Sequence, residues 1–282
     1  MTSPFAHPDS PANRQAPPPN VLSIAGLDPS GGAGILADIK AFSALGAYGT
    51  AVLTALTAQN TRCVSGVQAI APAFVRAQLD TLLDDVQIAA IKIGMVASAE
   101  IARVLAERLA SARIPLVLDP VMVAKSGDRL LDAGAVAVLR EQLLPLATLV
   151  TPNLPEAGML LARPAPTSVA EMRQCASALH ALGARHVLIK GGHLAGEESP
   201  DVSYDGLRFL ELPATRVPTR NTHGTGCTLS AAITALLPQR SDLESTLRDA
   251  KHYVSAALRA SQGLAVGSGH GPLHHFHSWW PR

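Results

Sequence analysis

From residue 21 onward, short and almost uniformly apolar runs alternate with longer stretches whose apolar residues recur every three or four positions. The first run, Val21-Leu22-Ser23-Ile24-Ala25-Gly26, reads as a buried strand ending in glycine. Ile35, Ile39, Phe42 and Leu45 share one face and predict a helix over 35–45. The β-branched stretch Thr50–Ala58 predicts a buried strand. Pro72 then opens a helix to about Val86, because proline suits a first turn. A strand over Ala89–Ile93 stops at Gly94, and Ser98 caps a helix to about Ser111. Further strands are expected at Leu116–Leu118, Thr148–Val150 and Val187–Ile189. Between the last two lies a helix over Val169–Leu182, which Gly183 ends. Asp205-Gly206 suits the tight turn of a hairpin, and the last long helices are Gly224–Leu237 and Leu243–Gln262.

Uniformly apolar strands joined through helices predict an α/β fold with a mostly parallel sheet covered on both faces. Ligands of such sheets bind beyond the carboxyl ends of the strands. That rule nominates the loops after Gly26, Gly94, Asp119, Thr151 and Lys190, which hold most of the unusual polar residues. Residues 1–20 contain six prolines and little to bury, so they read as a disordered tail preceding one domain over 21–282.

Composition narrows the function. Apolar residues form 48% of the 282-residue chain, enough for a large core without disulfides or structural metals. Net charge is +1 with no basic block, which sets nucleic acid aside as a partner. The three cysteines, Cys63, Cys175 and Cys227, form no CxxC pair and suit a reducing cytoplasm. No secretory signal pattern is visible, and no apolar run reaches the roughly 18–20 residues of a membrane span.

The segment Thr222-His223-Gly224-Thr225-Gly226-Cys227 opens an Ala/Leu-rich helix. Two glycines around Thr225 let backbone N–H groups converge at the helix start, a nest that suits transferring phosphoryl oxygens. A glycine-containing helix start without a ligand fits the same spacing. Cys227 lies in the first turn, where the helix dipole lowers a thiol's pKa and would make it a proton acceptor. An inert buried thiol and a covalent nucleophile remain open for the same residue.

Other loops add polar groups. Asp28-Pro29-Ser30-Gly31-Gly32-Ala33-Gly34 forms a loop whose backbone can approach a ligand closely, and Asp38 in the following helix reads as solvent-facing or a helix-start charge. Gln59 follows a buried strand, where its amide suits the edge of an aminated heterocycle; satisfying loop backbone fits it equally. Asn153 and Glu156, three apart, suit a hydrated magnesium ion bridging phosphates; an N-cap with its capping-box glutamate also fits and is commoner. Asp119 would help with that metal through water or with polar ordering, and Lys190 offers a point charge for a phosphate, though a lone lysine is usually just solvated. His274, His275 and His277 read as a packed C-terminal segment.

Together these segments resemble the hydroxymethylpyrimidine/phosphomethylpyrimidine kinases of thiamine biosynthesis, within the ribokinase-like superfamily. The matching stretches are AGLDPSGGAGILADIKAFSALGAYG, TALTAQNTR, KIGM, LDPVM followed by AKSGD, LLPLATLVTPNLPEA, KGGH, NTHGTGCTLSAA and GPLHHFHSWW. They run in order from about Val21 to Trp280. The resemblance implies a ribokinase-like three-layer α/β/α sandwich and two successive phosphoryl transfers from Mg2+-ATP. The acceptors are 4-amino-5-hydroxymethyl-2-methylpyrimidine and then its monophosphate. It further implies a substrate pocket at Gln59, Gly26, Asp38, Met95 and Val121. Catalytic groups are implied at Gly224, Thr225, Gly226, Cys227 and Lys190, and nucleotide contacts at Asn153, Glu156 and Thr222. Cys227 follows the pyrimidine-kinase branch, since many relatives carry aspartate there. One small departure is Pro120 after Asp119. A homodimer is expected from the same likeness. A pyridoxal kinase, a silent pyrimidine sensor and a thiol hydrolase with a His223–Cys227 pair are the rival readings.

Overall fold

The computed structural model describes residues 17–122, 131 and 133–280. Most of the expected proline-rich tail, and the AKSGD segment at 124–128, lie outside the described residues. The sheet begins at β1 (Asn20–Leu27), inside the stretch read as tail: Tyr48 N–H donates to the Pro19 carbonyl and extends the pairing upstream.

Eight further strands follow: β2 (Tyr48–Gln59), β3 (Val64–Ala69), β4 (Ala90–Ile93), β5 (Leu116–Leu118), β6 (Leu149–Val150), β7 (His186–Ile189), β8 (Asp201–Tyr204) and β9 (Phe209–Leu212). They form one sheet in the order β3-β2-β1-β4-β5-β6-β7-β8-β9. Neighbours from β2 to β7 pair parallel, while β3 at one edge and β8–β9 at the other pair antiparallel. The hairpin expected at Asp205-Gly206 joins β8 to β9, with Gly206 at φ +92°.

Helices cover both faces because side chains alternate along each strand. Leu22 and Ile24 of β1 face one core together with α2 (Pro72–Asp85), α3 (Ala99–Leu109), α4 (Ala133–Val138), α5 (Leu154–Leu161) and α6 (Val169–Ala181). Val21 faces the other, with α1 (Gly34–Ala44), α7 (Thr225–Leu236) and α8 (Leu243–Ala260). This is the three-layer α/β/α arrangement that the sequence predicts. Chain order reverses around β1, which lies between β2 and β4. The loops after β1 and β4 therefore open at a topological switch point, where ligands bind, and the loop after β5 lies next to them.

Two elements were not anticipated. Strand β3 carries mostly exposed residues and a mid-strand Gly66, so no apolar pattern announces it. The helical path through α4 continues as a π turn over Leu139–Leu143 and a 3-10 turn over Leu144–Leu146.

Candidate active site

The carboxyl ends of the strands enclose a cleft of about 540 Å3. Gly26, Gln59, Met95 and Val121 line it, and so do Asp119, Asn153, Glu156 and Lys190. Thr222, Gly224, Thr225, Gly226 and Cys227 complete the expected set along its wall. Asp38 does not line it, nor does it face solvent. It is fully buried, with both carboxylate oxygens 2.7 Å from Lys92 Nζ and a further bond from Ser23 Oγ. The reason is Lys92, a lysine in the interior of β4 that needs a counter-charge once removed from water.

At the start of α7, Gly224 takes φ +76° and ψ +13°, a conformation that glycine adopts without strain. A Cβ there would also collide with the carbonyl oxygen of Gly32. The turn is held by Thr225, whose Oγ1 donates to the Thr222 carbonyl at 2.8 Å. The first N–H groups of a helix have no acceptor within it. The amides of Gly226 and Cys227 are in that position, where α7 meets the cleft.

The glycine-rich loop after β1 approaches this turn as well as the cleft. A Cβ on Gly32 would strike the His223 ring. His223 Nε2 lies 2.7 Å from Asp28 Oδ2, whose carboxylate also accepts from Ser30 N–H, Ser30 Oγ and Ala33 N–H. Burial alone would raise the Asp28 pKa, but the bonds from His223 and Ser30 outweigh it and hold the carboxyl below its usual range. Among the described hydrogen bonds none joins His223 to Cys227, so the paired imidazole that a thiol hydrolase needs is not formed.

Lys190, at the end of β7, donates to Asp119 Oδ1 at 2.7 Å and lies 3.8 Å from Glu156 Oε2. Gly226 has no side chain where a Cβ would come within 3.0 Å of Lys190 Nζ, which brings the ammonium up to the helix start. Burial would lower the Lys190 pKa, yet Asp119 and Glu156 raise it well above the ordinary value. Asp119 is held low because Lys190 and Lys92 outweigh the effect of burial. Glu156 is pushed up to about 7, since burial dominates over Lys190 and the nearby Asp119 charge adds to it.

Asn153 caps α5: its Oδ1 accepts from Glu156 N–H at 2.9 Å, and Glu156 Oε2 accepts from Asn153 N–H at 2.7 Å. The capping box is therefore present. It holds the carboxyl group at the wall of the cleft.

Cys227 corrects one expectation. Burial pushes its thiol up to about 11, although Lys92 and the Gly34 amide act in the opposite direction. The helix dipole was expected to lower it; desolvation of the thiol is the larger effect, although Cys227 is only half-buried and lines the cleft.

The terminal histidines pack as expected. His275 is buried with Nε2 3.0 Å from Thr228 Oγ1, and Tyr253 Oη donates to its carbonyl at 2.8 Å. Burial pushes the His275 ring down to about 3.

Sequence reasoning missed Lys92, Asp28 and Thr57 at this site. A lysine inside an otherwise apolar strand was the available signal for Lys92.

The profile of the phosphomethylpyrimidine kinase family matches residues 28–274. This chain belongs to that family. It is 53% identical over 262 residues to the hydroxymethylpyrimidine/phosphomethylpyrimidine kinase of Escherichia coli, covering 93% of this chain and 98% of that one. It is 50% identical to the thiamine biosynthesis bifunctional protein ThiED of Geobacter sulfurreducens, over 93% of this chain and 54% of that longer protein. Among solved structures it is similar to the pyridoxal kinase from Staphylococcus aureus in complex with AMP-PCP and pyridoxal. That likeness has a TM-score of 0.84 and 35% identity, and covers 92% of this chain and 94% of that one. Family membership makes the chain an ATP-using kinase with the ribokinase-like fold. Among the described residues, no helix is long and apolar enough to cross a membrane.

Proposed function

We propose that the cleft transfers the γ-phosphoryl group of ATP to the hydroxymethyl oxygen of 4-amino-5-hydroxymethyl-2-methylpyrimidine. The monophosphate is then phosphorylated in the same cleft to the pyrophosphate. The observation that carries this reading is the meeting of the α7 helix start, Lys190 and Gln59 in one cavity.

Phosphoryl transfer depends mainly on positioning and charge neutralisation. The Gly226 and Cys227 amides hold the γ-phosphoryl oxygens, and the Lys190 ammonium neutralises charge beside them. Thr222 and Asn153 shape the phosphate end, while Gly26, Met95 and Val121 hold the ring that Gln59 recognises. Cys227 orients the hydroxymethyl oxygen. Because the thiol is protonated at neutral pH, the proton passes to the minor thiolate form that Lys92 supports.

The donors near Lys190 suit magnesium only through water. Both oxygens of Asp119 and Oε2 of Glu156 already have protein partners, and among the described residues no group of three or more His, Cys, Asp or Glu is arranged to hold a metal directly. Asp119 and Glu156 would hold a hydrated Mg2+, which when bound neutralises nucleotide phosphate charge. Residues 21–282 acting as one catalytic unit belong to the same proposal, supported by the continuous nine-stranded sheet. A cytoplasmic homodimer is also proposed, supported by the need for ATP and by exposed Leu56, Val67 and Phe74 near the β3 edge.

An assay following mono- and pyrophosphate products from one purified sample tests the reading. Gln59→Ala should raise the pyrimidine KM far more than the ATP KM. An equal effect on both, or preferred turnover of pyridoxine, overturns it.

A further inference from the structure

Strand β2 carries two threonines whose hydroxyls tie the walls of the cleft together. Thr54 Oγ1 donates to the Met95 carbonyl at 2.6 Å, which fixes the loop after β4. Thr57 Oγ1 lies 2.9 Å from the Leu27 carbonyl oxygen and 3.1 Å from Gln59 Oε1. Both carbonyl oxygens lie within reach of its single hydrogen. Both Thr57 and Gln59 line the cleft, two residues apart on one face of the strand.

The pairing of β2 with β3 is irregular beside Gln59. Ala58 pairs with Gly66, but Gln59 pairs with Val64, so Ser65 is an extra residue on β3. Ser65 Oγ closes the bulge by donating to the Ala58 carbonyl at 3.0 Å. Bulges of this kind re-aim neighbouring side chains and recur beside active sites.

A carboxamide presents two different ends, an acceptor and a pair of donors. Without a local partner it can turn over and offer either one. With Oε1 engaged by Thr57, the Nε2 hydrogens remain for the cleft.

We propose that Thr57 is a positioning residue that fixes the Gln59 carboxamide with its N–H donors toward the substrate, so the pocket selects a ring carrying an acceptor nitrogen at that edge. The inference rests on the pyrimidine pocket proposed above. It adds the direction of the hydrogen bond and the residue that sets it.

The test replaces the hydroxyl while keeping the β-branched shape. Thr57→Val should raise the pyrimidine KM about tenfold, the usual scale for one lost orienting hydrogen bond, with kcat within about twofold and the ATP KM unchanged. Thr57→Ser should restore the wild-type KM. Wild type should discriminate against the analogue in which that ring nitrogen is replaced by C–H, and Thr57→Val should lose most of this discrimination. Melting temperatures of both variants separate the effect from misfolding. An unchanged pyrimidine KM in Thr57→Val, with a raised one in Gln59→Ala, overturns this inference alone. Equal losses for pyrimidine and ATP would make Thr57 merely structural and overturn it too. If Gln59→Ala also leaves the pyrimidine KM unchanged, the pocket reading itself fails.

Discussion

The His223 ring nitrogen Nε2 lies 2.7 Å from Asp28 Oδ2, which fastens the turn that starts α7 to the glycine-rich loop after β1. Four donors converge on that one carboxylate. The fastening matters because His223 immediately precedes Gly224, whose left-handed conformation aims the amides of the next residues.

Removing the fastening should therefore cost turnover before it costs fold. Asp28→Asn and His223→Ala are each expected to lower kcat about a hundredfold, the scale of a misplacement near 1 Å at a reacting group. The pyrimidine KM should change much less. Steady-state kinetics on both variants, alongside their melting temperatures, check this outcome; unchanged kcat in both would free the turn from the role assigned to it.

Cys227 gives a prediction with a definite sign. Its thiol is pushed up to about 11, so the thiolate is a minor form at pH 7 and grows tenfold per pH unit below that value. Alkylation of Cys227 by iodoacetamide, followed by peptide mass spectrometry, should therefore accelerate steadily with pH and lag behind the exposed Cys63. Turnover carried by the thiolate should also rise with pH in the wild type and lose that slope in Cys227→Ser. Cys227→Ala should lose about 10²-fold or more, as for a general base. Rapid labelling at pH 7 would mean that the thiolate is preformed.

Much of this architecture was legible before any coordinates. Parallel strands buried on both faces leave continuous apolar runs, glycine ends several of them, and a capping serine starts the Ala99–Leu109 helix, at nearly the observed residues. Loops at strand ends could be picked out for the same reason. What could not be read depends on partners distant in sequence. Asp38 looks like a surface helix residue until Lys92, 54 positions away, is placed against it. Strand β3 hides because an exposed edge strand needs no apolar pattern. The upward push on the Cys227 thiol could not be read either, because sequence reveals the helix dipole but not how far the folded cleft desolvates the sulfur.

The Lys92–Asp38 pair is fully buried, a setting in which removing one partner is worse than removing both. Lys92→Met alone should destabilise the protein by about 3–5 kcal/mol, because Asp38 is left as an unmatched carboxyl. The double variant Lys92→Met/Asp38→Leu should recover most of that loss. Chemical denaturation of the three proteins measures it. Additive losses in the double variant would show that the two residues act independently.

Glu156 supplies a stability prediction that depends on pH. Its ordinary pKa of 4.5 applies to the unfolded chain, and in the fold burial pushes it up to about 7. Between those values the folded protein keeps a proton that the unfolded chain releases, so acid favours the fold. The contribution is fully present below about pH 4.5, declines as pH rises and is gone above about 7. Its full size is about 3 kcal/mol, from roughly 1.36 kcal/mol per pKa unit. Glu156→Gln keeps an oxygen to accept the Asn153 N–H but cannot ionise. Relative to wild type it should be near neutral in stability at pH 4.5 and more stable at pH 8. Urea denaturation of both proteins from pH 4.5 to 8 gives the difference directly, free of other groups that titrate in common. A difference that stays constant across this range would remove the burial argument for Glu156. Activity should move the other way, with Glu156→Gln losing turnover at every pH if the carboxylate helps to hold the charge of the nucleotide phosphates.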